Sequence, residues 1–396
     1  MKVIERDYLK TLQKVKDTPD IKVITGVRRS GKSMLLSNFK EYIAKTVIDA
    51  NIIEVDFNSI EYEHLREYHA LNNYIESRFL PGRRNYVFID EVQMCQSFEK
   101  TINSLHNSKK YDIYITGSNA FLSANDLATL LAGRVFPVEI FPFSFKEFQK
   151  YYKLPDKYQA FERYLFEGGF AGSYIYDDLA EKYRYIANIY DTTIIRDIQQ
   201  KYHIQNTPTL NKVSDFLIDN ISRLTTGRNI ANTLTSASQN TNHKTVNAYL
   251  EYLCNAFAFY KVKRYDIEGK DYLRSQDKYY LVDHAIKYAK LGTKFIDYGS
   301  AYENIVAIEL KRRGYEIYIG TFRGKEIDFV AKRRNEFLYI QVSYNIDSQE
   351  TLQREARPLL GVRDAYPKII LAHTRQPEYQ YEGIRIIDVA DWLMTE

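Results

Sequence analysis

The octet Gly26-Val27-Arg28-Arg29-Ser30-Gly31-Lys32-Ser33 lies between an apolar run, Ile21–Ile24, and a helix-compatible run, Met34–Ala44. Two glycines separated by four residues and followed by Lys and Ser form the P-loop pattern. Glycines allow backbone N–H groups to turn towards a phosphate, and the N-terminus of the following helix adds the positive end of a dipole. A glycine-rich turn without a ligand is the alternative, but the flanking strand and helix favour a phosphate site.

The P-loop pattern also assigns chemical roles to its last residues. We expect Lys32 to reach the β- and γ-phosphates of ATP and the Ser33 hydroxyl to ligate Mg²⁺. The residues expected to bind the nucleotide, ATP or ADP, are Gly26, Arg28, Arg29, Ser30, Gly31, Lys32, Ser33 and Met34.

An acidic pair supplies the second half of the predicted site. The apolar run Tyr86–Ile89 is typical of a buried parallel strand, and it is followed by Asp90 and Glu91. Phosphoryl transfer needs charge neutralisation and a positioned nucleophile, so we expect Asp90 to help hold Mg²⁺ and Glu91 to polarise the attacking water. A strand that ends in a surface acid pair is the alternative.

Length and composition favour a cytosolic protein of several domains. The 396 residues suffice for two or three domains, and 45% of them are hydrophobic. We find no apolar run of membrane-spanning length and no signal-peptide segment, so we expect a cytoplasmic protein without a membrane partner. Cys95 and Cys254 cannot form a disulfide framework, and the seven histidines lack zinc-ligand spacing. The net charge of +4 does not by itself indicate a nucleic-acid partner.

Residues 1–145 alternate predicted strands and helices. Repeated βα units imply a parallel sheet covered on both faces, with ligands at the carboxyl ends of the strands. The predicted strands are Ile21–Thr25, Ile52–Phe57, Tyr86–Ile89, Ile113–Thr116 and Val135–Ile140, and the predicted helices include Tyr62–Arg78, Phe98–Asn107 and Asn125–Leu131.

Two polar elements flank the last two predicted strands of this region. The fourth strand leads into Thr116-Gly117-Ser118-Asn119, where we expect Ser118 or Asn119 to hold the lytic water; a simple turn is the alternative. Gly133 is expected to stop a helix, so that Arg134 projects as an arginine finger into the site of a neighbouring subunit. A surface arginine in a salt bridge is the alternative for Arg134.

The order of these segments resembles the AAA+ branch of the P-loop ATPases. The chain resembles more closely a bacterial and archaeal family of AAA+-like ATPases with a C-terminal domain of unknown function, of the DUF4143 type. The resemblance covers nearly the whole chain and implies an ATPase core over residues 1–145 and a helical lid over residues 146–205. The segments that carry it are Gly26–Ser33, Ile89-Asp90-Glu91-Val92-Gln93, Thr116-Gly117-Ser118, Gly133-Arg134 and Pro142-Phe143-Ser144-Phe145-Lys146-Glu147-Phe148.

Residues 206–292 fit a winged helix-turn-helix. The predicted helices are Thr209–Asp219, Ile230–Leu234 and Asn242–Asn255, and the predicted hairpin strands are Phe257–Tyr265 and Lys278–Val282. The third helix offers Asn242, His243, Lys244, Thr245 and Asn247, and the hairpin offers Lys261, Lys263, Arg264 and Lys270. Such residues could meet DNA, although winged helices also serve purely as protein–protein modules.

Residues 293–396 resemble the PD-(D/E)XK nuclease fold in their predicted αβββαβ order. That fold collects a helix acid, an aspartate on the second strand and an E-x-K triplet on the third, and its acids bind Mg²⁺. Glu303 and Asp328 match the first two positions, but the triplet is replaced by Gln341-Val342-Ser343. We therefore expect an inactive nuclease-like domain, in which Glu303 and Asp328 form salt bridges with Lys325 or Arg323.

Together these patterns predict an α/β protein with a P-loop NTPase parallel sheet, a helical lid, a winged helix-turn-helix and a nuclease-like C-terminal domain. The expected function is a Mg²⁺-dependent ATPase whose hydrolysis rearranges the later domains, with DNA as a possible partner. The alternatives are a non-catalytic ATP-dependent switch that controls assembly with a protein partner, and an ATP-regulated nuclease. A homo-oligomer is expected if Arg134 acts on a neighbouring subunit.

Overall fold

The computed structural model describes residues 4, 6–117, 129–131, 133–236, 241–269, 271–294 and 297–395, without the side chains of residues 193, 194, 271 and 273–275. The chain divides after Phe141 into two compact units, the second of which comprises Pro142–Cys254 and Ala258–Glu396. Each unit is described by itself below. None of the helices in the described ranges combines the length and the apolar character that a membrane crossing requires.

The first unit is an α/β domain with a parallel sheet of five strands, as predicted. The spatial order is β2-β3-β4-β1-β5, and each predicted strand is present with its ends moved by at most two residues. Its elements are α1 Asp7–Lys14, β1 Ile21–Thr25, α2 Lys32–Thr46, β2 Ala50–Asp56, a 3₁₀ turn Ile60–Leu65, α3 Tyr68–Glu76, β3 Arg84–Asp90, α4 Phe98–Ser108, β4 Tyr111–Thr116 and β5 Val135–Glu139.

Helices cover both faces of this sheet because successive residues of each buried strand point to opposite faces. In β3, Val87 and Ile89 pack in one cluster with α3 and α4, whereas Tyr86 and Phe88 pack in another with α1 and α2. Because β1, β3 and β4 pair in parallel, their carboxyl ends lie at the same end of the sheet. The P-loop and the acidic pair therefore share that end, as the strand pattern predicted.

One predicted helix of the first unit is interrupted. The stretch Tyr62–Arg78 was expected to be continuous, but Glu67 adopts an extended conformation and ends the 3₁₀ turn before α3 begins. The Glu67 carboxylate accepts hydrogen bonds from the backbone N–H groups of His69 and Ala70, so it caps α3. Most of the predicted helix Asn125–Leu131 lies outside the described residues, and only residues 129–130 are seen as helical.

The second unit begins with helices and continues into a hairpin. The three helices and the hairpin expected between residues 206 and 292 are present in the predicted order. The elements are α5 Phe145–Tyr152, α6 Lys157–Glu167, a 3₁₀ turn Ala171–Ile175, α7 Leu179–Ile189, a π-helical turn Tyr190–Ile195, α8 Arg196–Tyr202, α9 Thr207–Asp219, α10 Gly227–Ser236, α11 His243–Asn255, β6 Phe259–Asp266 and β7 Asp271–Leu281.

The last third of the chain completes the second unit and contains the predicted αβββαβ order. An eight-stranded mixed sheet runs in the order β12-β13-β11-β10-β9-β8-β6-β7. The elements are α12 Ala285–Leu291, α13 Tyr298–Arg312, β8 Glu316–Phe322, β9 Lys325–Arg333, β10 Glu336–Ser343, α14 Gln349–Gly361, β11 Lys368–Ala372, β12 Tyr379–Tyr381, β13 Ile384–Asp388 and α15 Val389–Met394.

The hairpin differs from the expected free wing because it belongs to this sheet. Strand β6 pairs in parallel with β8, where Arg264 lies opposite Ile319 and Asp266 opposite Thr321. The predicted domain boundary between residues 292 and 293 therefore separates strands that share one hydrogen-bonded ladder. A single sequence shows the strands but not which of them pair, so this continuity was not foreseen.

Candidate functional site

The P-loop has a backbone that only glycine can adopt at two positions. Gly26 has a φ of +143°, and a Cβ there would lie 2.1 Å from the carbonyl oxygen of Ile140. Gly31 has a φ of +98° and is the N-cap residue of α2. The loop thus leads directly into a helix N-terminus, where unpaired backbone N–H groups favour an anion.

Lys32 is the buried cation of the loop. Its Nζ donates to the carbonyl oxygens of Gly26 at 3.0 Å and Val27 at 3.3 Å, so the loop backbone curls around the ammonium group. The neighbouring Ser30 hydroxyl is buried, and none of the described residues offers it a hydrogen-bond partner. A buried hydroxyl without a hydrogen-bond partner, next to the ammonium group of Lys32, is what we expect of a loop that binds a polar ligand.

The other predicted nucleotide-binding residues lie around this loop. Arg28 and Arg29 are exposed at its outer turn, where Arg29 has a φ of +67°. Ser33 and Met34 are exposed in the first turn of α2 and border a cavity of about 270 Å³. Asp90 borders the same cavity, so the structure brings both predicted Mg²⁺-binding residues to one space.

Asp90 is held by a hydroxyl that the sequence analysis did not select. The Thr116 hydroxyl donates to the Asp90 carboxylate and accepts from the backbone N–H of Glu91 at 3.1 Å. Burial raises the pKa of Asp90, and hydrogen bonds from Thr116 and Ser33 partly oppose that rise. A nearby cation would favour the ionised carboxylate, which fits the predicted role of Asp90 beside Mg²⁺.

Glu91 has the strained backbone of a positioned residue. Its φ is +54°, in the left-handed region that a glutamate rarely adopts, and the bond from its N–H to Thr116 holds it there. The Gln93 side chain donates a hydrogen bond to the Glu91 carboxylate. The carboxylate is therefore oriented by its neighbours rather than free to rotate.

A third carboxylate, beside those of Asp90 and Glu91, was also missed by the sequence analysis. Asp56 ends β2 and lies opposite Asp90 in the parallel register of β2 and β3. Its charge contributes to raising the pKa of Asp90, and it borders the same cavity. The rule that ligands bind at the carboxyl ends of parallel strands could have identified Asp56 and Thr116, because each is the last residue of its strand.

The structure places the predicted finger residue but does not describe the predicted sensor residues. Ser118 and Asn119 lie outside the described residues. Arg134 precedes β5, and Val135 pairs with Ile21, the first residue of β1. Arg134 therefore lies at the amino ends of the strands, whereas the P-loop lies at their carboxyl ends. Its guanidinium is exposed and donates to Asn107 Oδ1 at 2.8 Å. Within its own chain, Arg134 therefore does not face the nucleotide site.

The region that the sequence predicts to be nuclease-like contains a buried ion cluster centred on a lysine from the hairpin. Lys278 Nζ lies 2.8 Å from Glu303, 2.7 Å from Glu326 and 3.9 Å from Asp328. The Tyr280 hydroxyl also donates to Glu303, at 2.6 Å. Glu303 and Asp328 form ion pairs, as expected, but their cation is Lys278 and not the expected Lys325 or Arg323. Arg323 instead pairs with Glu268 at 3.0 Å.

The replaced triplet is tied into the same cluster. Asp328 accepts a hydrogen bond from Val342 N at 2.8 Å, and the Gln341 amide donates to Glu355 at 3.0 Å. A cavity of about 430 Å³ is bordered by Glu303, Asp328, Gln341 and Ser343. Nowhere in the described ranges do three or more His, Cys, Asp or Glu side chains form a group that could hold a metal ion.

The predicted DNA-contacting helix presents a polar face. Asn242, His243, Lys244 and Asn247 are exposed around the start of α11. The Asn242 carboxamide accepts from the N–H groups of Lys244 and Thr245, both at 3.0 Å, so it also caps the helix. In the hairpin, Lys261 is paired with Asp277 at 2.8 Å, and Lys270 lies outside the described residues.

Comparison with known proteins places this geometry among AAA domains. Residues 18–149 match a family model described as an AAA domain, and residues 158–295 match a domain of unknown function, DUF8612. The second match extends across the predicted boundary between lid and winged helix. The DUF4143-type assignment of residues 293–396 stays a prediction.

Two uncharacterized relatives cover almost the whole chain. A protein of Haemophilus influenzae is 38% identical over 99% of this chain and 98% of its own length. A protein of Methanocaldococcus jannaschii, MJ1544, is 28% identical over 98% of this chain and 88% of its own length. Among solved structures, AMPPCP-bound DnaA from Aquifex aeolicus aligns at 15% identity over 64% of this chain and 89% of that one, with a TM-score of 0.32. Such a low score adds nothing to the fold, which is given by the strand order.

Proposed function

Because this chain belongs to the same family as the Haemophilus influenzae relative and carries an AAA domain, we propose that it binds ATP and hydrolyses it with Mg²⁺. The observation that carries the proposal is the Thr116 hydroxyl, which bonds both the Asp90 carboxylate and the backbone N–H of Glu91. A loop that only held a nucleotide would not need a second acid fixed in a strained conformation beside the first.

The residues divide the proposed reaction among them. The loop N–H groups and Lys32 would bind the phosphates, and Ser33 with Asp90 would hold Mg²⁺, which would neutralise charge on the phosphates. Glu91 orients the attacking water and polarises it. Thr116 keeps the two acids in register, so the water-orienting carboxylate is fixed relative to the metal-binding one.

We propose further that the ATP cycle rearranges the second unit on DNA. The exposed polar face of α11 supports DNA as the partner. The Lys278 cluster supports an inactive nuclease-like region, because an internal ammonium already pairs with Glu303 and Asp328. A non-catalytic ATP-dependent switch is the second candidate, and the buried Ser30 hydroxyl, which fits nucleotide binding alone, is compatible with it.

ATP turnover by the full chain and its Glu91→Gln variant tests the ATPase. Glutamine keeps the size of the side chain but cannot polarise water, so turnover should fall by about 100-fold or more while ATP affinity stays within about twofold. Glu99→Gln, in α4 and outside the site, is the matched control and should retain wild-type turnover. Each protein is assayed with and without duplex DNA.

The outcomes separate the candidates. Wild-type turnover in Glu91→Gln would refute the assignment of the catalytic water. ATP binding without turnover in the wild type would favour the switch. Stimulation of turnover by DNA supports the DNA partner, and equal turnover with and without DNA counts against it.

Arg134 makes the proposed assembly testable. Since it lies at the sheet edge opposite its own P-loop, it can act as a finger only in a neighbouring subunit. The mass of the protein with a slowly hydrolysed ATP analogue should therefore correspond to an oligomer. A strict monomer would reduce Arg134 to a surface residue bonded to Asn107.

A further inference from the structure

Arg6 is a buried arginine that touches the P-loop from outside the motif. It lies one residue before α1, and only 6% of its surface is exposed. Its Nη1 donates to the carbonyl oxygen of Ser30 at 2.7 Å, and its Nη2 donates to that of Phe141 at 2.7 Å. Burying a guanidinium is costly unless its hydrogen bonds are satisfied, so these two contacts define where the side chain sits.

The contact with Ser30 constrains the peptide that joins Ser30 to Gly31. In a planar trans peptide the C=O and the N–H point in opposite directions. Holding the Ser30 oxygen on Arg6 therefore aims the Gly31 N–H to the side of the loop away from Arg6. The nearest atom to an added Cβ on Gly31 is Arg6 Nη1, at 3.8 Å, so the guanidinium lies against this turn.

The second contact anchors the guanidinium to the sheet. Phe141 follows β5, and its backbone N–H donates to the Tyr8 hydroxyl at 3.2 Å. The guanidinium also lies over the Tyr8 ring, 4.9 Å from the centroid. Ile140 is bonded to Thr25 at the end of β1, 2.8 Å from N to O. Arg6 thus connects the turn of the P-loop to a segment that the sheet holds rigidly.

We propose that Arg6 is a positioning residue of the nucleotide site, which orients the Ser30–Gly31 peptide so that its N–H is preset for a phosphate. This inference rests on the proposed ATP binding and concerns the same loop. Donors that are oriented before the ligand arrives bind it without paying for their own ordering. Because Arg6 acts through the loop backbone, we expect it to strengthen binding of the phosphate chain of ATP and not of the base.

The test compares Arg6→Gln and Arg6→Lys with the wild type in the full chain. Glutamine removes the charge, and lysine keeps it but cannot bridge two carbonyls as a planar fork does. We expect ATP affinity to fall by about tenfold or more in Arg6→Gln and by less in Arg6→Lys. Arg84→Gln is the matched control, because Arg84 is exposed at the amino edge and pairs with Asp17.

Competition with inorganic tripolyphosphate shows whether the substitutions weaken binding of the phosphate chain or of the nucleoside. Positioning of the loop predicts the same fold loss for tripolyphosphate as for ATP. A loss confined to ATP would mean that Arg6 serves the nucleoside and would overturn the inference. Methylguanidinium should partly restore ATP affinity in an Arg6→Ala variant, and methylammonium should restore less of it.

Nucleotide-free unfolding of the same variants excludes a merely structural effect. A structural role alone would lower stability and leave the affinity of the folded protein unchanged, which would overturn the inference. A wild type that binds ATP without hydrolysing it defeats the proposed ATPase but leaves the Arg6 comparison intact. A wild type that binds no nucleotide defeats both.

Discussion

Lys32 in the first unit and Lys278 in the second are both buried lysines, but they face opposite surroundings. Lys32 donates to two carbonyl oxygens of its own loop, those of Gly26 and Val27. Lys278 lies among three carboxylates, those of Glu303, Glu326 and Asp328. The loop around Lys32 can bind an anion. In the cluster around Lys278, the ammonium group occupies the position among the acids where a nuclease would bind a metal ion.

The charges around Lys278 explain how its site differs from the P-loop. Burial alone would lower the pKa of Lys278, but the carboxylates of Glu303, Asp328 and Glu326 outweigh it and raise that pKa above its ordinary value. The lysine therefore stays charged, and the acid side chains of Glu303, Glu326 and Asp328 surround it. Such a site repels a phosphate, whereas the P-loop attracts one.

Exchanging each lysine for methionine should give the largest effect and a different one at each site. Lys278→Met leaves buried carboxylates without their cation, which we expect to lower the unfolding free energy of the second unit by about 3–5 kcal/mol. Trp392, the single tryptophan of the chain, is buried in that unit, so its fluorescence reports urea unfolding there.

Lys32→Met is the matched control for this comparison. We expect it to abolish ATP binding and to leave the Trp392 transition where the wild type has it, because Lys32 belongs to the other unit. A wild-type transition in Lys278→Met would show that the carboxylates do not depend on the lysine. The contrast between the two sites would then fail.

Thr116→Val should give the next largest effect, in turnover. Valine has the shape of threonine but removes the hydroxyl, so the Asp90 carboxylate loses a donor and the Glu91 N–H loses an acceptor. Leaving such buried groups unpaired costs about 1–3 kcal/mol, and we expect turnover to fall by roughly tenfold or more. Thr116→Ser retains the hydroxyl, so its ATP turnover should be close to that of the wild type. Equal turnover in the wild type, Thr116→Val and Thr116→Ser would contradict the role of Thr116.

The two sites also differ in how far the sequence could predict them. The P-loop is contiguous, and Asp90 and Glu91 follow a strand whose apolar pattern is plain, so their meeting follows from the rule for parallel strands. Thr116 obeys the same rule, whereas the predicted sensor residues Ser118 and Asn119 follow the strand in the sequence. Thr116 is a candidate by this rule because it ends β4, so the sheet fixes its distance from Asp90.

Arg6 and Lys278 could not be found in this way. Arg6 is 24 residues from Ser30 along the chain and belongs to no periodic pattern. Lys278 is 25 residues from Glu303 and was interpreted as part of a wing, since the pairing of β6 with β8 is not encoded in any local pattern. The elements of the fold were predictable because they are local, and these contacts were not because they depend on strand pairing and chain path.

Asp328→Asn should give the smallest effect, and its sign depends on pH. Burial and the nearby Glu303 charge raise the pKa of Asp328 well above its ordinary value, although Lys278 opposes this. Between the ordinary pKa and the raised one, the folded protein holds a proton that the unfolded chain has lost, so wild-type stability falls as pH rises through that window. Asparagine does not titrate, and its carbonyl can still accept from Val342 N.

The urea midpoint of Asp328→Asn, followed by Trp392 fluorescence, should therefore rise relative to the wild type as pH increases from about 4 to 8. Each unit by which the pKa is raised contributes about 1.4 kcal/mol to that difference. Asp347→Asn, an exposed change between β10 and α14, is the control and should show a difference that stays flat with pH. A flat difference for Asp328→Asn as well would mean that Lys278 fully offsets burial and the Glu303 charge, so that the pKa of Asp328 is not raised, and the contrast with the P-loop would lose this support.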